Sequence, residues 1–271
     1  MTSSTRPELH AGYHGSVPSP DLSALSDTDR ASVEAAVEAI VRGGGEMVKG
    51  IALVGEAVPP RRHPGPTRLR LVVLLTHTHV ATLTNLGRNL PPEVEVSIYA
   101  ESELPRAADV FALELAEQRT RHLILHGRLP YDRVPITSRL LRLAIERALR
   151  AGVRALRSSL WREPATVTTM LEEVLRRLAI VAHQLPPVLG AVGLQGEAAD
   201  EAALLRDLCR RTEVDDGWVA AWAAHRRGET LSSPVSIAGD VLRLFEETVA
   251  LVDAHGAADG MASGPGDSLV D

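Results

Sequence analysis

Two arginines set two residues apart at the head of an apolar run are the best-placed chemical groups in this chain. Arg68 and Arg70 open the segment Arg68-Leu69-Arg70-Leu71-Val72-Val73-Leu74-Leu75. Alternate residues of an extended strand point to one side, so both guanidinium groups are expected on one face. A guanidinium stays charged, cannot ligate a cation, and grips phosphate or carboxylate through paired N–H groups. The chemistry this predicts is a metal-free anion pocket. The loop from Ala57 to Thr67 adds Arg61, Arg62 and His63 to the cationic set. The competing reading leaves both strand arginines in solvent. A register shift of one residue would turn Leu69 and Leu71 to the pocket instead.

A second cationic feature lies further on. From Arg139 to Arg162 there are seven arginines and one acidic residue, Glu146. Arg139, Arg142, Arg150, Arg154 and Arg157 fall along one broad helical face. Arginine stems often just cover apolar surface. The stripe nevertheless opposes the net charge of the chain, which makes it a candidate surface for an anionic partner such as a nucleotide, RNA or an acidic protein surface.

Other constellations carry less. His77-Thr78-His79 has the spacing of a ligand pair but no third ligand nearby, so no metal is expected. Gly43-Gly44-Gly45 precedes a strand and lacks the Lys-Ser/Thr of a phosphate loop, so it reads as a helix stop. Trp218 and Trp222 at i and i+4 read as core. Arg177 precedes His183 as in helical nuclease-like HEPN domains, but Leu178 replaces their polar companion, and ribonuclease chemistry is not expected.

The elements that must position these residues follow from composition and periodicity. The chain has 271 residues, 45% hydrophobic and only 3% aromatic, so its core must be built from Leu, Val, Ala and Ile. Net charge is −6, which argues against nucleic acid as the general partner. A single cysteine, Cys209, excludes internal disulfides and reads as a small buried apolar residue. No apolar run approaches the roughly 20 residues of a membrane span, so a cytoplasmic, non-membrane protein is expected. Heavy use of Ala, Arg and Leu suggests a bacterial source.

Met1 to Ser26 reads as a disordered tail, and so does Gly256 to Asp271. Ser26-Asp27 can cap a helix to about Val41. Strands are expected at Val48 to Val54 and at Leu69 to Leu75. The second is apolar on both faces, as a central strand should be. A helix over Val80 to Leu90, a strand at Glu93 to Tyr99, a helix over Arg106 to Gln118 and a strand at Arg121 to Gly127 follow. From Pro135 onward only helical periodicity appears, over Pro135–Trp161, Glu163–Gln184, Asp200–Arg211, Gly217–Arg226 and Pro234–Ala254. The expected domains are 27–130, mixed, and 135–255, all helical.

The ordered set Ile51-Ala52-Leu53-Val54-Gly55-Glu56, loop, then Arg68-x-Arg70 and an apolar run resembles the nucleotidyltransferase superfamily, in its small bacterial and antibiotic-modifying branch. Glu103-Leu104-Pro105 and Ile124-Leu125-His126-Gly127 resemble its closing segment. The resemblance implies an α+β fold, with a mixed sheet and flanking helices followed by an all-α helical bundle. In that family the first strand ends in Gly-Ser, and the next opens with Asp-x-Asp, which holds divalent metal. Here Glu56 replaces the Ser, and Arg68 and Arg70 replace both Asp. Glu95 stands as the candidate for the third carboxylate of such a site. The resemblance thus implies a nucleotidyltransferase-like pseudoenzyme without catalytic residues, metal or other cofactor. It would bind a nucleotide or other polyanion through Gly55, Glu56, Arg61, Arg62, Arg68, Arg70 and Glu95. One alternative is an active, Mg²⁺-dependent enzyme using Glu56 and Glu95 on a small-molecule or protein acceptor. Another is an interaction module that uses the helix from 139 to 162.

Overall fold

Residues 20–60, 68–162, 166–190 and 200–262 are described by a computed structural model, with 256–262 as helix backbone alone. Arg61, Arg62 and His63 lie outside the described residues. So do residues 1–19 and 263–271 of the two expected tails.

Four strands form the sheet: β1 (Val48–Val54), β2 (Leu69–Leu75), β3 (Val94–Ala100) and β4 (His122–Gly127). Their spatial order is β3-β2-β1-β4. β1 pairs antiparallel with both β2 and β4, and β2 pairs parallel with β3. The sheet is therefore mixed. The two central strands are the ones whose sequences are apolar on both faces, as burial on both sides requires.

Alternation along β2 sends its residues to two cores. Leu69, Leu71 and Val73 pack with Ile51 and Leu53 against Val33, Ala36 and Ile40 of α1 (Asp27–Gly44) and Leu86 of α2 (Val80–Gly87). Val72 and Leu74 face the other way, with Ala52 and Val54, toward Leu104 and toward Ala108 and Leu115 of α3 (Ala108–Thr120). Helix α1 starts where Ser26 accepts a hydrogen bond from the Asp29 amide at 3.1 Å, which satisfies one of its orphan donors. The stretch before it is not a free tail throughout. Leu22 and Leu25 are buried in the α1 core.

The second half is helical: α4 (Ser138–Arg162), α5 (Val167–Gln184), α6 (Glu201–Thr212), α7 (Gly217–Arg226) and α8 (Pro234–Ala262). α8 runs past the expected end at Ala254. Ile145 and Leu149 of α4, Leu171 and Leu178 of α5, and Leu244 and Phe245 of α8 centre its core. α4 and α8 approach closely at Gly152, where a Cβ would strike the Phe245 ring. Trp222 and Cys209 are buried, as expected from the sequence.

Helix α3 belongs to both halves. Ala108 and Leu115 pack on the sheet, while Leu113 and Ala116 join the bundle core. A buried polar cluster reinforces that joint. Glu117 of α3 meets His183 Nδ1 at 2.8 Å and accepts from Gln184 Nε2 at 3.1 Å. Arg121 donates to the carbonyls of Val58 and Pro60 at 2.9 and 2.8 Å. Buried, mutually bonded polar groups of this kind favour one docking arrangement.

Candidate functional site

A cleft of about 470 Å³ opens between the sheet and the helical half, within the usual size of small-molecule sites. Its sheet wall is charged. Gly55 ends β1 with a positive φ of 79°, a conformation that favours glycine. That turn carries Glu56 to the cleft wall. Arg68, just before β2, and Arg70 within it project into the cleft while Leu69 is buried behind them. The strand register therefore turns the arginines, not the leucines, toward the cavity. Glu95 on β3 lies directly across from Arg70 in the parallel ladder.

These groups are mutually paired. Arg70 Nε lies 3.3 Å from Glu95 Oε2, and Arg68 Nη1 lies 4.0 Å from Glu95 Oε1. Glu95 therefore serves as the counter-charge to two arginines.

The helical wall supplies what sequence reasoning missed. α5 contributes Glu173, Arg176 and Arg177, and α4 contributes Arg147. Arg176 pairs with Glu56 across the cleft and with Glu173 at 2.6 Å. Glu173 also meets Arg177 at 3.0 Å and Arg68 at 3.6 Å. Burial pushes the Glu173 carboxyl up, but Arg176 and Arg177 outweigh it and hold the group below its ordinary value. The relay Glu56–Arg176–Glu173–Arg68–Glu95 thus ties α5 to three strands. Beside it lies an apolar wall formed by Val110 and Leu113 of α3, Ala144 and Ala148 of α4, and Ile180 of α5. Spacing alone gave one signal for Glu173 and Arg177, an i,i+4 helical pair. That pair reads as surface decoration until α5 is docked on the sheet.

The charged groups nearest Glu95 are guanidinium groups. Mg²⁺ prefers hard oxygen ligands, and here Glu95 is flanked by guanidinium groups that cannot ligate a metal and would repel one. Among the described residues no three His, Cys, Asp or Glu side chains gather as a metal site would need. His77 and His79 instead make an edge-to-face ring contact, with centroids 4.5 Å apart.

The arginine stripe on α4 lies elsewhere. Arg150 pairs with Glu146 at 2.8 Å and with Asp253 of α8 at 3.1 Å. Arg157 pairs with Glu246 of α8 at 2.5 Å. Arg139, Arg142 and Arg154 pair with no carboxylate among the described residues. Arg177 and His183 take different partners, Glu173 and Glu117.

No family model and no curated protein matches the sequence. Among solved structures, the chain is similar to a spectinomycin adenyltransferase from Enterococcus faecialis, determined with ATP and spectinomycin. The TM-score is 0.50 at 8% sequence identity, with 83% of this chain and 98% of that chain covered. The fold is nucleotidyltransferase-like. The matched span reaches beyond the mixed sheet into the helical half, so the α+β architecture is common to both molecules. No helix among the described residues is long and apolar enough to cross a membrane.

Proposed function

We propose that this protein is a nucleotidyltransferase-like pseudoenzyme that binds an anionic ligand, foremost a nucleotide, in the interdomain cleft without transferring a nucleotidyl group. One observation carries the reading. Arg68 and Arg70, at the strand positions the family resemblance assigns to metal-binding carboxylates, face the cleft and hold Glu95 between them. Nucleotidyl transfer by two-metal chemistry needs anionic oxygens that clamp the attacking and leaving groups. Guanidinium groups supply the opposite charge. They suit the phosphates themselves, as direct counter-charges that need no metal. The solved adenyltransferase binds ATP and spectinomycin, which makes these two compounds the first probes to try.

The test is incubation of the full chain with Mg²⁺, each labelled nucleoside triphosphate, and either spectinomycin or no added acceptor. The expected result is no transfer to spectinomycin or to the protein above an enzyme-free control. Transfer that disappears on Glu95→Ala would overturn the proposal in favour of an active enzyme. The stripe on α4 supports a second reading, a protein-partner surface reduced to Arg139, Arg142 and Arg154. Arg150 and Arg157 are already engaged by α8.

A further inference from the structure

Glu173 is the most heavily solicited carboxylate of the cleft. Its Oε1 accepts from Arg177 Nε and meets Arg177 Nη2, both at 3.0 Å. Its Oε2 accepts from Arg176 Nη1 at 2.6 Å and lies 3.6 Å from Arg68 Nη2. Three guanidinium groups, two from α5 and one from the residue just before β2, converge on one carboxylate. Arg176 is shared with Glu56, and Arg68 with Glu95. Arg177 has Glu173 as its only carboxylate partner among the described residues. Arg147, exposed on the α4 wall of the same cleft, pairs with none of the described carboxylates. The cradle therefore has more donor capacity than a planar monoanion uses. A tetrahedral phosphate dianion, with more acceptor oxygens, matches it better.

We propose that Glu173 is an internal occupant of a phosphate site built by Arg68, Arg176 and Arg177, and that a metal-free phosphate group enters by displacing it. This rests on the anion-binding reading above and adds an autoinhibitory contact to it. Glu173 is about one-third exposed at 34%, which leaves its side chain an open route out of the cradle that does not require α5 to move. The apolar wall of Val110, Leu113 and Ile180 lies within the same cavity and offers a surface for an organic body attached to that phosphate. A ligand that must compete with a resident group binds in proportion to the fraction of molecules in which the site is open. Removing the competitor must therefore tighten binding.

The experiment is titration calorimetry of wild type, Glu173→Gln and Glu173→Gln/Arg177→Ala in EDTA, with ATP, inorganic triphosphate and adenosine as separate probes. Glu173→Gln should bind ATP and triphosphate about tenfold tighter than wild type, the gain expected if the resident carboxylate holds the site about nine-tenths of the time. The double variant should lose that gain, and adenosine alone should show no dependence on residue 173. ATP tighter than triphosphate would support a nucleotide occupant. Equal affinities would support the phosphate group alone. Circular dichroism checks folding, and Glu173→Asp, which keeps the charge on a shorter stem, serves as the second variant with a smaller gain. If wild type binds and neither variant binds tighter, internal occupancy is overturned while the anion-binding reading stands. If no folded form binds either phosphate probe, both fall. Nucleotidyl transfer in the Mg²⁺ assay would remove the pseudoenzyme reading without bearing on this metal-free test.

Discussion

The arginines of β2 and those of α4 are the same residue type put to different structural use. Arg68 and Arg70 sit two apart on a strand, at the concave junction of two halves, and their partners Glu95 and Glu173 come from a neighbouring strand and from α5. Arg150 and Arg157 sit seven apart on a helix, on an outer surface, and their partners come from α8 and, for Arg150, also from α4 itself. The first group converges and the second spreads. Density of positive charge along the sequence therefore says less about binding than the curvature of the surface on which the charge arrives. A pair at the rim of a helix contact is largely screened by water. A relay inside a cleft concentrates its charges around one small volume.

The sharpest way to break this contrast is to remove one arginine from each group. Arg176 and Glu56 are only 18% and 14% exposed, so Arg176→Ala takes a cationic partner from a carboxylate in a poorly solvated place. The expected loss is about 3 kcal/mol of unfolding free energy. Arg157 and Glu246 are 62% and 45% exposed, and Arg157→Ala should cost less than about 1 kcal/mol. Urea unfolding of both variants measures the difference. Equal losses would mean that the cleft relay is no more than another surface pair.

A substitution at Gly152 probes the α4 side. A side chain there meets the Phe245 ring, so Gly152→Val should overpack the α4–α8 contact. The expected destabilisation is about 2 kcal/mol, read as a lowered thermal midpoint. An unchanged midpoint would show that α4 and α8 can separate freely, and that Arg150 and Arg157 do not depend on their close approach.

The smallest effect expected is a pH-dependent one at Glu173. Its carboxyl is held below the ordinary value of 4.5, burial opposing and Arg176 and Arg177 prevailing. A lowered folded-state value contributes stability that is present above the unfolded-state value and lost as pH falls through the lowered one. Glu173→Gln should thus be less stable than wild type at pH 7, by under about 1 kcal/mol given its partial exposure. The gap in urea midpoint should close as pH drops below 4.5. A gap that persists in acid would assign the loss to packing instead of charge.

Much of the architecture could be read from local pattern. β1 and β2 have the bounds their apolar runs predict, because strands buried on both faces leave unbroken hydrophobic stretches. Period two places Arg68 and Arg70 on one face, opposite the buried Leu69, but which face meets the cleft depends on the packing around the strand. Glu95 is expected on a neighbouring strand, and the ladder pairs it with Arg70. Glu173, Arg176, Arg177 and Arg147 were not foreseen as cleft residues. Their membership depends on where α4 and α5 dock against the sheet, which no helical period records. The extent of α8 was also misjudged. Its last turns hold Gly and Ala with little apolar rhythm, so the sequence there resembles a tail although the backbone remains helical to Ala262.

Helix α3 limits how this molecule can be taken apart. Its residues alternate between two sets of neighbours, Ala108 and Leu115 on one side and Leu113 and Ala116 on the other. Cutting the chain between β4 and α4 would leave Leu113 and Ala116 bare on the first fragment. On the second, Leu141 and Ile145 would lose part of the core they share with them. Neither piece carries a complete interior. An exchange of one half for a foreign counterpart must therefore reproduce the outer face of α3, and the joint is inherited as a unit with both halves.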